Sequence, residues 1–174
     1  LLPLVRSLYG SESRFVWRDD NGEEYVIVQG EGGEQGDALM PALFCLGLHD
    51  ALAAAGARLQ PDEQIVAYLD DIYVLTTPKR ARAAYDVVAE VLGRVCGIQV
   101  HQGKLVCWNR SGDAAPHGIA DLDTPGHTVW KGDAPPGENG VVVLGAPVGT
   151  NEFATAEGHR HAEGEQALLD GLLA

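Results

Sequence analysis

The stretch Ile65-Val66-Ala67-Tyr68-Leu69-Asp70-Asp71-Ile72-Tyr73-Val74-Leu75 constrains this chain more than any other. Two apolar runs, rich in β-branched and aromatic residues, flank a pair of adjacent carboxylates. Residues 65–68 read as one strand and 72–75 as the next, with Asp70 and Asp71 at the tight connection between them. A hairpin tip holds its side chains on a rigid support. A divalent cation needs such a support, because Mg²⁺ takes one or two protein carboxylates and leaves the rest of its shell to water and phosphate oxygens. An Asp-Asp pair is also ordinary turn chemistry. The pair alone therefore decides nothing, and the rest of the chain has to.

Before the hairpin, residues 1–9 read as the end of a helix or an extended lead-in, with Leu and Val in a core. Residues 14–17 and 25–28 are strand candidates, and Asn21-Gly22 between them is a hairpin signal. Asp19 and Asp20 read there as a solvated turn. Residues 29–41 form a glycine-rich loop that feeds a helix over 37–55, with Asp37 as its N-cap and Pro41 in its first turn. The loop matches neither a Walker pattern nor a dinucleotide fingerprint. The helix is apolar on most sides, which predicts burial nearly all round. His49 has no partner at helical spacing and reads as a packed or half-exposed helix residue.

After the hairpin, Pro78 opens an amphipathic helix in which Ala84, Val88, Val91, Leu92 and Val95 recur at helical spacing. Gly97 is placed to end it. Residues 98–101 and 104–108 are strand-like, with a turn at Gln102-Gly103. Residues 109–140 are rich in Gly, Pro, Asp and His and read as a long, mobile surface insertion. His117 and His127 lie in it without metal-ligand spacing. Residues 141–145 read as one short buried strand and 150–161 as a loop. Residues 162–174 read as a short helix with Leu168, Leu169, Leu172 and Leu173 along one side. The expected class is α+β, an antiparallel sheet with helices packed on one face.

Composition narrows the function. The chain has 174 residues, of which 45% are hydrophobic, so it can bury a core. Its formal net charge is −13, with acid in excess both before and after Trp108. That excludes binding of nucleic acid through a broad basic face. Cys45, Cys96 and Cys107 are odd in number and widely spaced, so they read as small buried apolar residues and fit a reduced intracellular compartment. No apolar run is long enough to span a bilayer. The abrupt apolar start at Leu1 reads as a fragment of a longer protein.

Four stretches, in order, resemble the palm of reverse transcriptases, especially those of retrotransposons without long terminal repeats. Gln35-Gly36-Asp37-Ala38-Leu39-Met40-Pro41 is similar to the family's Gln-Gly-x-Pro-Leu-Ser-Pro segment. Tyr68-Leu69-Asp70-Asp71 resembles its aromatic-x-Asp-Asp hairpin. Gly97-Ile98-Gln99-Val100-His101-Gln102-Gly103-Lys104 resembles the later segment that ends in a lysine. Val143-Leu144-Gly145 resembles the Phe-Leu-Gly strand beyond it. Ala38, Met40, His101 and Leu105 depart from the residues usual at their positions.

The resemblance implies an RNA-directed DNA polymerase acting by two-metal phosphoryl transfer with Mg²⁺ or Mn²⁺. Asp70 would be the shared metal ligand and Asp71 the more peripheral one. Lys104 would offset triphosphate charge or donate a proton to the leaving group. Gln35 and Gly36 would shape the nucleotide and template pocket, and Tyr68 would pack near the primer end. The implied partners are an RNA template, a DNA primer and deoxynucleoside triphosphates. Residues 1–150 would be a partial palm lacking its first strand and that strand's aspartate, and 151–174 a linker and the start of a thumb-like helix. The upstream fingers and palm segment and the downstream thumb would belong to the parent protein, and this piece alone would be inactive. The other expectation is a catalytically inactive relic or interaction module that keeps the palm fold.

Overall fold

The computed structural model describes residues 2–29 and 36–173. Among the described residues it is a mixed α+β structure of four α-helices and three separate two-stranded antiparallel sheets, not the one antiparallel sheet expected. The chain divides into two units, residues 1–43 and 44–174.

The smaller unit contains helix α1 (Leu2–Tyr9) and the hairpin β1 (Arg14–Arg18) and β2 (Glu24–Val28). The sequence places both strands correctly, but the turn between them is five residues long, since Arg18 pairs with Glu24. Asp19 organises it: its carboxylate accepts from the amides of Asn21 and Glu23. Trp17 and Tyr25 stack across the strands with ring centroids 5.2 Å apart. All ten strand residues are exposed. The expectation that α1 contributes Leu and Val to a core fails, because none of its residues is buried. Helix α2 (Met40–Gly56) starts three residues later than expected, so Asp37 is not its N-cap: its carboxylate accepts from the Leu39 amide in the turn before the helix. The Tyr9 hydroxyl donates to the same carboxylate at 2.6 Å. That hydrogen bond holds the Asp37 carboxyl below its ordinary value.

The larger unit is built on α2 and helix α3 (Ala81–Cys96), with the hairpin β3 (Gln64–Tyr68) and β4 (Asp71–Leu75). Leu48, Ala51 and Ala55 of α2 meet Val88, Val91 and Leu92 of α3 in the main core. Ile65, Ile72 and Val74 pack against it from one face of the hairpin. Burial of α2 is one-sided, not all-round: Leu46 is 67% exposed and Cys45 and His49 are exposed. A 3-10 turn, Pro78–Arg80, leads into α3. Gly97 ends the helix in the left-handed region at φ +68°, and its amide and that of Ile98 satisfy the last carbonyls.

Three further expectations are corrected. Residues 98–108 alternate as strands do, and Ile98 and Val100 do pack on the main core. Among the described residues, however, they find no ladder partner beyond a single bridge from Cys107 to Trp130, and a 3-10 turn, Gln102–Lys104, interrupts them. The 109–140 segment is not a surface insertion. It has little regular structure, but Ile119, Leu122, Val129 and Trp130 form a second core with Ala81, flanked by Tyr85, Leu105 and Cys107. Burial there raises the Cys107 thiol above its ordinary value.

The third correction concerns the C-terminal part. Residues 140–149 are a hairpin, β5 (Gly140–Val143) and β6 (Ala146–Gly149), turning at Leu144-Gly145. Helix α4 (Asn151–Leu173) starts where a loop was expected, capped by the Thr150 hydroxyl on the Phe153 amide. Phe153 is buried, while Leu168, Leu169 and Leu172 are exposed.

Candidate functional site

The candidate site is the tip of the β3–β4 hairpin. The pairing of Tyr68 with Asp71 leaves a two-residue turn, Leu69-Asp70. Leu69 has φ 53°, a left-handed conformation that costs a side-chain-bearing residue about 1–2 kcal/mol. Two-residue hairpins need positive φ to match strand twist, and glycine usually supplies it. Here a leucine adopts it. Asp70 is thereby set in the turn itself, and Asp71 opens β4 beside Tyr68.

Period-two alternation sorts the hairpin into two faces. Ile65, Ala67, Ile72 and Val74 lie on the half-buried side that packs toward the helices. Val66 and Tyr68, with Tyr73 and Asp71 opposite them, share the outer face. Both carboxylates are exposed. Among the described residues Asp70 makes no hydrogen bond or ion pair, and Asp71 makes one long contact, 3.4 Å from the Tyr73 hydroxyl. Two adjacent carboxylates with unspent lone pairs match what Mg²⁺ or Mn²⁺ takes from protein. Among the described residues no group of three or more His, Cys, Asp or Glu side chains is placed to hold a metal.

The other expected site residues divide by location. The Leu144-Gly145 tip reaches the carboxylate hairpin, because the Leu144 amide donates to the Tyr73 hydroxyl at 3.2 Å. Lys104 lies exposed in the 3-10 turn between the two cores. Among the described residues no hydrogen bond or ion pair joins its ammonium to either aspartate. Gly36, with φ +97°, belongs to the smaller unit. Gln35 lies outside the described residues.

Two groups outside the expected site residues also bear on the hairpin. Glu63, just before β3, has a side chain only 1% exposed. Its carboxylate accepts from the Gln60 amide at 2.7 Å, the Thr76 hydroxyl at 2.7 Å and the Arg80 guanidinium at 3.2 Å. Burial alone would push this carboxyl up, but these donors and the Arg80 charge outweigh it and hold it below its ordinary value. The cluster ties the open end of the hairpin to the start of α3, opposite the aspartates. Tyr73 is the second, and its only signal in the sequence is its place two residues after Asp71, on the same strand face. No protein-family model matches this chain, and no curated protein or solved structure does so either.

Proposed function

We propose that this chain is part of the palm of an RNA-directed DNA polymerase, in which Asp70 and Asp71 bind a divalent cation carrying the triphosphate of an incoming deoxynucleotide. The observation that carries the reading is the hairpin tip. Both carboxylates of the aromatic-x-Asp-Asp motif are exposed there, Asp70 in the turn and Asp71 at the start of β4, on a hairpin whose other face packs on the main core. The Val143-Leu144-Gly145 segment, which resembles the family's Phe-Leu-Gly strand, touches the same hairpin.

In this reading Mg²⁺ or Mn²⁺ would lower the pKa of the attacking hydroxyl and neutralise charge on the phosphates. Asp70 and Asp71 hold the charge at a fixed point. Tyr68, beside them on the outer face, offers an aromatic surface to a primer terminus. Lys104 supplies a positive charge for the triphosphate when that segment is brought to the tip. A net charge of −13 favours the second reading, a palm-like module that no longer copies nucleic acid.

The test has two parts. Mn²⁺ titrated into the chain with a deoxynucleoside triphosphate is expected to broaden the amide signals of Tyr68, Asp70 and Asp71, and Asp70→Asn to remove the effect. Primer extension on an RNA template by the gene's full-length product is expected to be abolished by the same substitution. Binding without extension would favour the second reading. Extension that survives Asp70→Asn, or no Mn²⁺ effect at the tip, would overturn the assignment of Asp70.

A further inference from the structure

The Tyr73 hydroxyl touches both hairpin tips. It accepts from the Leu144 amide at 3.2 Å and faces the Asp71 carboxylate at 3.4 Å. A hydroxyl can accept and donate at once, so a single geometry satisfies both contacts. Leu144 itself has φ 50° and Gly145 φ 81°. This is the double positive φ of a tight hairpin turn, with leucine at a position that favours Asn or Gly. Strained residues persist where their surroundings over-determine them. Leu144 is 55% exposed, and the two-residue turn between Val143 and Ala146 itself calls for the positive φ. In this turn the Leu144 amide donates to the Tyr73 hydroxyl.

We propose that Tyr73 is a positioning residue, whose hydroxyl locks the Asp71 carboxylate and the Leu144-Gly145 turn into one arrangement. A ligand held by the aspartates then meets the second tip in a fixed place. The cross-tip bond constrains the β5–β6 hairpin, which is otherwise tied to the unit through Phe153 and Asn139 at its far end. The lock on Leu144 stands on the geometry alone, and its bearing on a bound cation rests on the function proposed above.

Tyr73→Phe removes the hydroxyl and keeps the ring. Amide hydrogen exchange at Leu144 is expected to speed up about fivefold, the equivalent of one ordinary hydrogen bond. Exchange at Val91 and Leu92 in α3 should be unchanged, which separates loss of the lock from loss of fold. With Mn²⁺ present, the wild-type chain should show broadening at both Asp71 and Leu144, and Tyr73→Phe should keep the first and lose most of the second. Unchanged exchange at Leu144 would overturn the proposal. Broadening absent from the wild type would overturn the cation reading, while the exchange result still decides the role of Tyr73. Should Tyr73→Phe fail to fold, the temperature coefficient of the wild-type Leu144 amide proton reads the same bond, and a value typical of a solvent-bonded amide would overturn it.

Discussion

The indole N–H of Trp108 donates to the side-chain carbonyl of Asn139 at 2.7 Å, across a gap of thirty-one residues. The same amide group donates to the carbonyl of Gly132 at 2.6 Å, and the Asn139 backbone carbonyl accepts from the Thr150 amide at 3.1 Å. One residue thus joins the end of the 98–108 segment, the second core and the start of α4. Asn139→Ala leaves a half-buried indole N–H and a carbonyl without partners, and is expected to destabilise the chain by about 1–3 kcal/mol. Urea unfolding should show a lower midpoint at unchanged slope.

The β5–β6 hairpin sits on the first turn of α4 through two glycines. A Cβ on Gly140 would overlap the Phe153 ring, and one on Gly149 would come within 2.5 Å of the Asn139 carbonyl. Gly140→Ala must push the ring out of its buried site. Phe153→Ala removes the ring itself and is expected to cost about 3–5 kcal/mol. The double variant should be far less than additive, because both changes break the same contact. Additive losses in thermal unfolding would mean that the hairpin and helix do not depend on each other there.

Glu63 sets an acid limit on stability. Its folded-state pKa lies below the unfolded value, near 4.3 for an ordinary glutamate. Its contribution is therefore present above that unfolded value and is lost as pH falls through the lower, folded one. Glu63→Gln replaces an acceptor with a group that can satisfy only part of the Gln60, Thr76 and Arg80 donors. Near neutral pH it is expected to cost about 1–3 kcal/mol. The loss should shrink on acidification below about pH 4, which unfolding curves at stepped pH would measure.

Arg82 fastens the second core to α3. Its guanidinium donates to the Gly118 carbonyl at 2.7 Å and to the Asp86 carboxylate at 2.9 Å. Gly118 has φ +77°, and a Cβ there would stand 3.1 Å from the Arg82 Cγ. Gly118→Ala is expected to cost about 1–2 kcal/mol from the left-handed backbone alone. Trp130 fluorescence should report the second core loosening before the α-helical circular dichroism falls.

How much of this the sequence carried depends on whether the signal was local. The carboxylate hairpin was legible because alternation and β-branched residues specify both strands within eleven positions. Gly97 was legible because a glycine that ends a helix is local chemistry. The β5–β6 hairpin was not, because its turn puts a leucine at positive φ and its second strand contains Pro147, which argues against a strand. The first half of helix α4 was hidden in part by Gly158, which lowers helix propensity there. The buried role of Glu63 had no signature at all, since its donors come from three separate segments. The second core was missed for the same reason: Ile119, Leu122, Val129 and Trp130 have no common period, and Ala81 and Leu105 complete them from elsewhere in the chain.

The tip of the β3–β4 hairpin should behave as a site kept for a ligand at no benefit to the fold. Asp70 and Asp71 place two like charges side by side in water, and Asp70 has no hydrogen-bonding partner among the described residues. Asp70→Asn should therefore change the stability of the cation-free chain by no more than about 0.5 kcal/mol, in either direction. A cation that binds only the folded state should raise wild-type stability as its concentration passes the dissociation constant, by about 2.7 kcal/mol at a hundredfold excess over that constant. The measurement is thermal unfolding at stepped Mn²⁺ concentrations, with and without a deoxynucleoside triphosphate. A rise in midpoint confined to the wild type assigns the cation to Asp70. An equal rise in Asp70→Asn would move it elsewhere, and no rise in either would leave the two aspartates as turn residues.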